Sequence, residues 1–211
     1  MITEELYNRY FSHLLSGNRA EWRNIVRELL ERNIDVKELY TVLFQPAMYR
    51  VGELWECNKI SVATEHLATS ITEYLLTLVY PILFSSAHIG EKAIISCSVN
   101  EFHQVGGKMV ADIFELHGWD GYFLGANTPA DDLIQLIHEK KPGMVGLSLS
   151  VYFNMAPLLS MIEKIKVTFP DLNMIVGGQA FRWGGADLIQ KFPYVTYVAS
   201  LDDLEKMIAR D

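Results

Sequence analysis

The spacing of apolar residues changes once along this chain, and that change fixes the kind of fold it can adopt. Before Ser85 the apolar positions recur three and four apart, as on one face of a helix. Thr3 can cap a helix opened by Glu4 and Glu5, with Leu6, Tyr10, Phe11 and Leu14 on one face and Gly17 as its stop. A second helix over Arg19 to Arg32 carries Trp22, Ile25, Val26, Leu29 and Leu30. Asp35 is a good cap for a third, running through Leu39, Leu43, Met48, Val51 and Leu54 to Trp55, with Pro46 inside it predicting a kink. After the polar break Glu56-Cys57-Asn58-Lys59, Ser61 caps a fourth helix that carries Glu65 and His66 and runs towards Pro81. Four helices joined by short connections predict an antiparallel four-helix bundle.

Beyond Lys92 short apolar runs alternate with helical patterns. The runs are Ala93 to Val99, Tyr122 to Leu124, Met144 to Leu149, Met174 to Val176 and Val195 to Ala199. Helical patterns cover Gln104 to Leu116, Ala130 to Glu139, Leu158 to Val167 and Ala186 to Lys191, and a last one covers Asp202 to Ile208. This alternation predicts an α/β domain with a doubly wound, flavodoxin-like, five-stranded parallel sheet covered on both faces. The chain is thus expected to combine a helical bundle over 1–86 with an α/β domain over 91–211, the boundary falling between Ser85 and Lys92.

With 50% apolar and 21% charged residues the composition is that of a globular protein. A net charge of -8 leaves no surplus of Lys and Arg to neutralise phosphates, which argues against direct nucleic-acid binding. The most apolar stretch, Ile71 to Phe84, contains Glu73 and Pro81 and falls short of the roughly 18 apolar residues of a membrane span. The acidic start Met1-Ile2-Thr3-Glu4-Glu5 lacks the basic region of a signal peptide, so a soluble, cytoplasmic protein is expected. Cys57 and Cys97 are far apart and read as free thiols.

In an open α/β sheet the ligand site lies beyond the carboxyl ends of the strands. Three loops there are rich in small residues. The first is Asn100-Glu101-Phe102-His103-Gln104-Val105-Gly106-Gly107, the second Ser148-Leu149-Ser150-Val151-Tyr152 and the third Gly177-Gly178-Gln179-Ala180-Phe181. The first lacks the G-x-G-x-x-G of dinucleotide folds and the G-x-x-x-x-G-K-[ST] of P-loops. A phospho-receiver domain would need an Asp at the end of the third strand, where this chain has serine.

Glu101-x-His103-x-x-Gly106 resembles the D-x-H-x-x-G signature of cobalamin-binding domains, with Glu in place of Asp. The resemblance implies that His103 is the lower axial ligand of cobalt and that the cofactor's nucleotide tail threads into the crevice of the sheet. Neutral imidazole is a good cobalt ligand, and a neighbouring carboxylate can fix its tautomer. Glycines after the histidine, with Gly177 and Gly178, would let backbone approach the corrin and its tail. Ser148-x-Ser150 stands where the family often has S-x-L. The expected cofactor contacts are therefore Glu101, Phe102, His103, Gln104, Val105 and Gly106 from the first loop, Ser148, Ser150 and Val151 from the second, and Gly177, Gly178, Gln179, Ala180 and Phe181 from the third.

Trp55, nine residues and Glu65-His66 resemble the W-x9-E-H pattern of the helical cap in CarH-type light-sensing cobalamin proteins. That likeness implies that Trp55 packs over the upper face of adenosylcobalamin, that Glu65 helps hold the adenosyl group, and that His66 becomes the upper cobalt ligand after light. It implies the sensing part of such a regulator without its DNA-binding segment, and hence a separate output protein, whether a regulator, a kinase or a methyltransferase. A homo-oligomer is expected on the same ground alone. In this reading the chain turns over no substrate. The alternative is a corrinoid protein that carries a methyl group, as methylcobalamin, for a methyltransferase system; a pocket for haem or another tetrapyrrole is the third.

Blander readings hold for the rest. His13, His88, His117 and His138 follow no ligand spacing, and Met144, Met155, Met161 and Met174 read as core filler. Cys57 lies two residues past Trp55 and reads as a small apolar residue. Asn127-Thr128-Pro129 reads as a helix cap with proline in the first turn, at the edge of the site.

Overall fold

A computed structural model describes residues 1–85 and 87–209; Ser86, Arg210 and Asp211, and with them the expected domain limits at 86 and 211, lie outside the described residues. The chain divides into two compact units, Met1–Ile82 and Leu83–Asp211.

In the first unit α1 spans Glu4–Ser16, its start capped by Thr3, whose side chain accepts the Leu6 N–H, and its end turned by Gly17 at φ 67°. The second helix, α2, spans Arg19–Glu31. Asp35 accepts the Lys37 N–H at 2.7 Å and opens α3, Val36–Glu38, which continues through a π-helical stretch Leu39–Phe44 into α4, Gln45–Glu56. The kink expected at Pro46 takes the form of this wide turn. In a regular α-helix the proline ring would meet the carbonyl four residues back. Here Gln45, just before it, donates to the Tyr40 carbonyl five residues back, the signature of a widened turn that lets the helical path continue past the ring. The fifth helix, α5, spans Val62–Thr77 and is capped by Ser61, which accepts the Thr64 N–H at 3.1 Å; the short α6, Tyr80–Leu83, follows. Tyr10 and Leu14 of α1, Ile25 and Val26 of α2, Leu43 and Phe44 of the wide turn, Val51 of α4 and Leu75 and Leu76 of α5 form the core. Buried Thr72 stays satisfied by donating to the Ala68 carbonyl at 2.9 Å. No helix among the described residues is long and apolar enough to cross a membrane.

The second unit is a five-stranded, all-parallel sheet. Its strands are β1 (Lys92–Cys97), β2 (Asp120–Phe123), β3 (Met144–Ser148), β4 (Asn173–Gly177) and β5 (Val195–Tyr197), in the order β2-β1-β3-β4-β5. The connecting helices are α7 (Val105–Leu116), α8 (Ala130–Lys140), α9 (Met155–Thr168) and α10 (Ala186–Ile189), and α11 (Leu201–Ile208) ends the fold. Helices α7 and α11 pack together, as do α8 and α9. Alternate residues of the strands serve the two layers. Ile94, Val145, Leu147, Met174 and Val176 pack with Leu133, Ile137, Leu158 and Ile162 of α8 and α9. In the opposite phase, Ile95 and Ile175 flank Gly146, whose missing Cβ would lie 2.6 Å from Ile95 Cδ1, so the glycine makes room for both isoleucines. Met155, Met161 and Met174 are buried filler, as their spacing predicts.

After β4 the chain turns at Gly178, with φ 114° and a Cβ position only 2.2 Å from the Leu149 carbonyl oxygen. A side chain there meets both a strained backbone and a fixed carbonyl. Gly178→Ala should therefore destabilise the sheet unit by about 2 kcal/mol or more. Thermal melts should show the midpoint falling by several degrees, at about 2–4 °C per kcal/mol for a chain of this size; an unchanged midpoint would contradict this packing.

Candidate functional site

The strand order places a topological switch between β1 and β3, because the connection from β1 leads outward to β2 and the one from β3 leads the other way to β4. The loops after β1 and β3 diverge there, and one carboxylate ties them together. Beyond Cys97 the Ser98 N–H still pairs with the Ser148 carbonyl at 3.1 Å, and the chain then reverses through Asn100 at φ 64° so that the Glu101 N–H returns to the Ser98 carbonyl at 3.1 Å. The reversal buries Glu101 completely. Its Oε1 accepts the His103 N–H at 2.9 Å and lies 2.6 Å from His103 Nδ1. Its Oε2 accepts the N–H groups of Ser150 at 2.8 Å and Val151 at 2.9 Å. Burial by itself would raise the Glu101 pKa, but its hydrogen bonds to His103, Val151 and Ser150 outweigh burial and hold it below the ordinary glutamate value.

An ionised Glu101 makes Nδ1 of His103 the protonated nitrogen and leaves Nε2 as the nitrogen able to coordinate a metal. The ring is half exposed at the carboxyl edge of the sheet, its side chain at 55%. A single outward imidazole with a fixed tautomer is the donor that an axial position needs when the metal brings its own equatorial ring, so the residues present fit a cobalamin. Gly106, in the first turn of α7, has no atom within 4 Å of its Cβ position, which keeps the approach beside His103 open. A Cβ at Gly107 would instead lie 3.1 Å from the Phe123 ring and 3.4 Å from the Ser148 Cβ, so the glycine lets α7 sit close on the sheet.

The other expected contacts divide into those at the edge and those in the core. Phe102 is largely exposed beside His103, and Gln104 and Val105 are half buried where α7 begins. Ser148 ends β3 and is buried, while Ser150 and Val151 present their backbone amides to Glu101. The expectation that Gly177 and Gly178 exist for ligand approach gains a different physical reason. Their Cβ positions lie 2.8 Å from the Val198 carbonyl oxygen and 2.2 Å from that of Leu149, so protein backbone already excludes a side chain. Gln179 opens a short 3₁₀ turn, Ala180 donates its N–H to the Leu149 carbonyl at 3.2 Å, and Phe181 is buried against Tyr197 with ring centroids 4.9 Å apart.

In the helical unit Trp55 occupies the last turn of α4, and Glu65 the first turn of α5 with His66 just after it. Only residues 57–61 join the two helices, so all three lie at one end of the pair. Trp55 is 45% exposed. Glu65 accepts the Thr69 hydroxyl at 2.9 Å, and His66 Nε2 lies 3.6 Å from Glu65 Oε2 with its side chain 73% exposed.

Sequence reasoning missed what three asparagines do. The Asn127 side chain accepts the Asn100 N–H at 2.9 Å, its own N–H donates to the Glu101 carbonyl at 2.9 Å, and the Asn154 side chain donates to the Asn100 carbonyl at 3.0 Å. Asn100 and Asn127 both take positive φ, the backbone region in which asparagine is enriched, and that was the available signal. The cap expected at Asn127-Thr128-Pro129 is corrected accordingly: Pro129 itself precedes α8, no side chain caps the helix, and Asn127 serves the first loop instead. The remaining histidines have local partners, His88 with Asp120 at 2.7 Å, His117 with the Ile113 carbonyl at 3.0 Å, His13 near Glu21 and His138 against the Phe169 ring. Both cysteines are free thiols; Cys57 is exposed, and burial, with the Glu101 charge nearby, pushes the Cys97 thiol up to about 12 and keeps it neutral.

Because the folded-state pKa of Glu101 is lowered, its contribution to stability is present above the unfolded value and lost as the pH falls through the folded one. Urea midpoints of the wild type should therefore drop below about pH 4.3. Glu101→Gln turns an amide NH2 towards backbone donors and should cost on the order of 2 kcal/mol at neutral pH. Its acid dependence should be flatter than the wild type's, and parallel curves for the two proteins would contradict the charge assignment.

Comparison with known proteins gives the same answer as the geometry. Residues 91–201 match the family model described as the B12 binding domain, and residues 6–80 match a second model of that description. The chain is 31% identical over 125 residues to the HTH-type transcriptional repressor CarA of Myxococcus xanthus, covering 59% of this chain and 43% of the repressor. It is 28% identical over 140 residues to the HTH-type transcriptional repressor CarH of the same organism, covering 65% and 46%. The aligned stretches thus span less than half the length of either repressor. Among solved structures, the monomethylamine corrinoid protein of Methanosarcina barkeri shares the fold at a TM-score of 0.82 with 14% identity, over 97% of each chain. With more than half of the chain matched by one model, within its second unit, and most of its first unit by a companion model, the chain belongs to the B12-binding domain family, and its cofactor is cobalamin.

Proposed function

We propose that this protein is a cobalamin-dependent sensor, with His103 as the lower cobalt ligand, adenosylcobalamin as the cofactor form and light as the signal. The observation that carries the reading is the buried Glu101 carboxylate locking the His103 ring at the mouth of the crevice between β1 and β3. Adenosylcobalamin supplies a cobalt–carbon bond that visible light breaks. The protein's part is to hold that bond against groups able to tell its two states apart. Trp55 offers an exposed indole wall that excludes water from the upper face. Glu65 offers a carboxylate to the adenosyl hydroxyls, and His66 offers an imidazole to the upper axial position. A conformational equilibrium shifts only through contacts that differ between its states, and the adenosyl group against Trp55 is such a contact. A separate output protein, a regulator, a kinase or a methyltransferase, reads the shift; both curated relatives are named as transcriptional repressors. On this reading the chain turns over no substrate.

A second reading, a corrinoid protein that carries methyl groups for a methyltransferase, draws on the full-length fold likeness to the methylamine corrinoid protein. The Trp55, Glu65 and His66 pattern and the Glu101 variant favour the sensor.

Reconstitution with adenosylcobalamin in the dark, followed by green light, tests both. The wild type should show a stable change in its visible spectrum on illumination, and His66→Ala should give a different illuminated spectrum from the same dark one. Identical spectra for the two would remove the upper-ligand role. His103→Ala should lose the His-on dark spectrum and bind about tenfold or more weakly. Methyl transfer to or from a partner enzyme, with no response to light, would establish the carrier instead.

A further inference from the structure

We infer that Asn127 and Asn154 are positioning residues for His103, acting through the backbone of the loop after β1; the inference rests on the reading of His103 as the cobalt ligand. That loop turns at Asn100, whose φ of 64° is unfavourable for most side chains. The backbone groups around the turn are held from the loop after β2, the segment after β3 and the loop itself. The Asn100 N–H donates to Asn127 Oδ1 from the loop after β2, at 2.9 Å. The Asn100 carbonyl accepts Asn154 Nδ2 from the segment after β3, at 3.0 Å. The Glu101 carbonyl accepts the Asn127 N–H at 2.9 Å, and the Glu101 N–H closes back on Ser98 at 3.1 Å. Two asparagines thus fix both peptide units that lead into Glu101, and Glu101 in turn orients the His103 ring.

These side-chain bonds are solvent-exposed, so water can replace them with little effect on the folded state. Their effect is on loop freedom. Without them the turn samples other conformations, and the imidazole must be brought back to its ligating position each time the cofactor binds, which weakens binding by the ordering it requires. Asn127 contributes in two separable ways, since it also takes φ 51°. Glycine keeps that backbone conformation and removes the acceptor, whereas aspartate keeps both the conformation and an acceptor oxygen. Asn154 lies at φ −90°, where any residue is at ease, so alanine there removes only the donor.

The test is titration of the full chain with adenosylcobalamin in the dark, reading affinity and the fraction of the His-on visible spectrum together, with melting temperature as the folding control. Asn127→Gly and Asn154→Ala should each weaken binding about three- to tenfold and lower the His-on fraction at saturation, with melting temperatures near the wild type's. Asn127→Asp should restore both readouts towards wild type. Wild-type affinity and spectrum in both Asn127→Gly and Asn154→Ala, alongside a His103→Ala protein that has lost the His-on spectrum, would overturn the positioning role while leaving the ligand role standing. A wild-type spectrum that His103→Ala does not alter would overturn both. Equal losses in Asn127→Gly and Asn127→Asp would also count against it, since the acceptor would then not be what matters.

Discussion

A carboxylate with no exposure to water is unfavourable unless every lone pair it presents is met by a donor, and the edge of this sheet is organised around meeting that demand for Glu101. Its donors come from both sides of the topological switch, the backbone N–H and ring of His103 on one side and the amides of Ser150 and Val151 on the other. Charge-assisted bonds of this kind are about twice as strong as neutral ones. Because the donors belong to two loops that diverge from adjacent strands, satisfying the carboxylate also sets the separation of those loops. The orientation of His103 and the width of the crevice therefore follow from one requirement.

That requirement reaches down into the sheet. Ser150 and Val151 can face Glu101 only if the segment after β3 is held, and it is held by Gly178, which lies so close to the Leu149 carbonyl that no side chain fits, with the Ala180 N–H bonded to the same carbonyl. On the other side, α7 begins two residues after His103 and packs through Gly107 onto Ser148 and Cys97, which are register partners of β3 and β1. The glycines of this region thus act in different ways. Gly107 and Gly178 let protein approach protein, and Gly106 has empty space where its side chain would be.

The sequence made the fold legible because both of its periods are set by burial, and burial is a property of side chains. The caps at Thr3, Asp35 and Ser61 were legible because their mechanism is a side-chain oxygen accepting a specific amide. The π-helical stretch before Pro46 was not. A proline announces that regular helix cannot continue, but whether the chain bends or widens depends on packing around Tyr40 and Phe44, which are buried. In the site, Glu101 and His103 were legible as a pair of side chains at fixed spacing. The other half of the carboxylate's environment was not, because it consists of backbone amides that any residue could supply. Ser148 and Ser150 drew attention by standing where the family often has S-x-L, yet it is the N–H of Ser150, and not its side chain, that Glu101 uses. Asn127 was misassigned for a related reason: an Asn-Thr-Pro sequence before a helix suits a cap, and the partner that diverts it, the Asn100 N–H, lies 27 residues away in the chain.

The two histidines singled out as cobalt ligands differ in how firmly they are held, and the difference bears on what each can do. His103 is held at 2.6 Å by a buried, ionised partner, so in the proposed role its ring is oriented before any cofactor binds and little ordering would remain to oppose binding. His66 is mostly exposed, and its contact with Glu65 at 3.6 Å is longer than a hydrogen bond. An imidazole held that loosely keeps rotamer freedom that ligation would take away, so in the proposed role it would compete poorly for a position another ligand already fills. On the sensor reading, the firmly held ring of His103 suits a ligand kept in both states, and the loosely held, exposed ring of His66 suits one taken up only after the change.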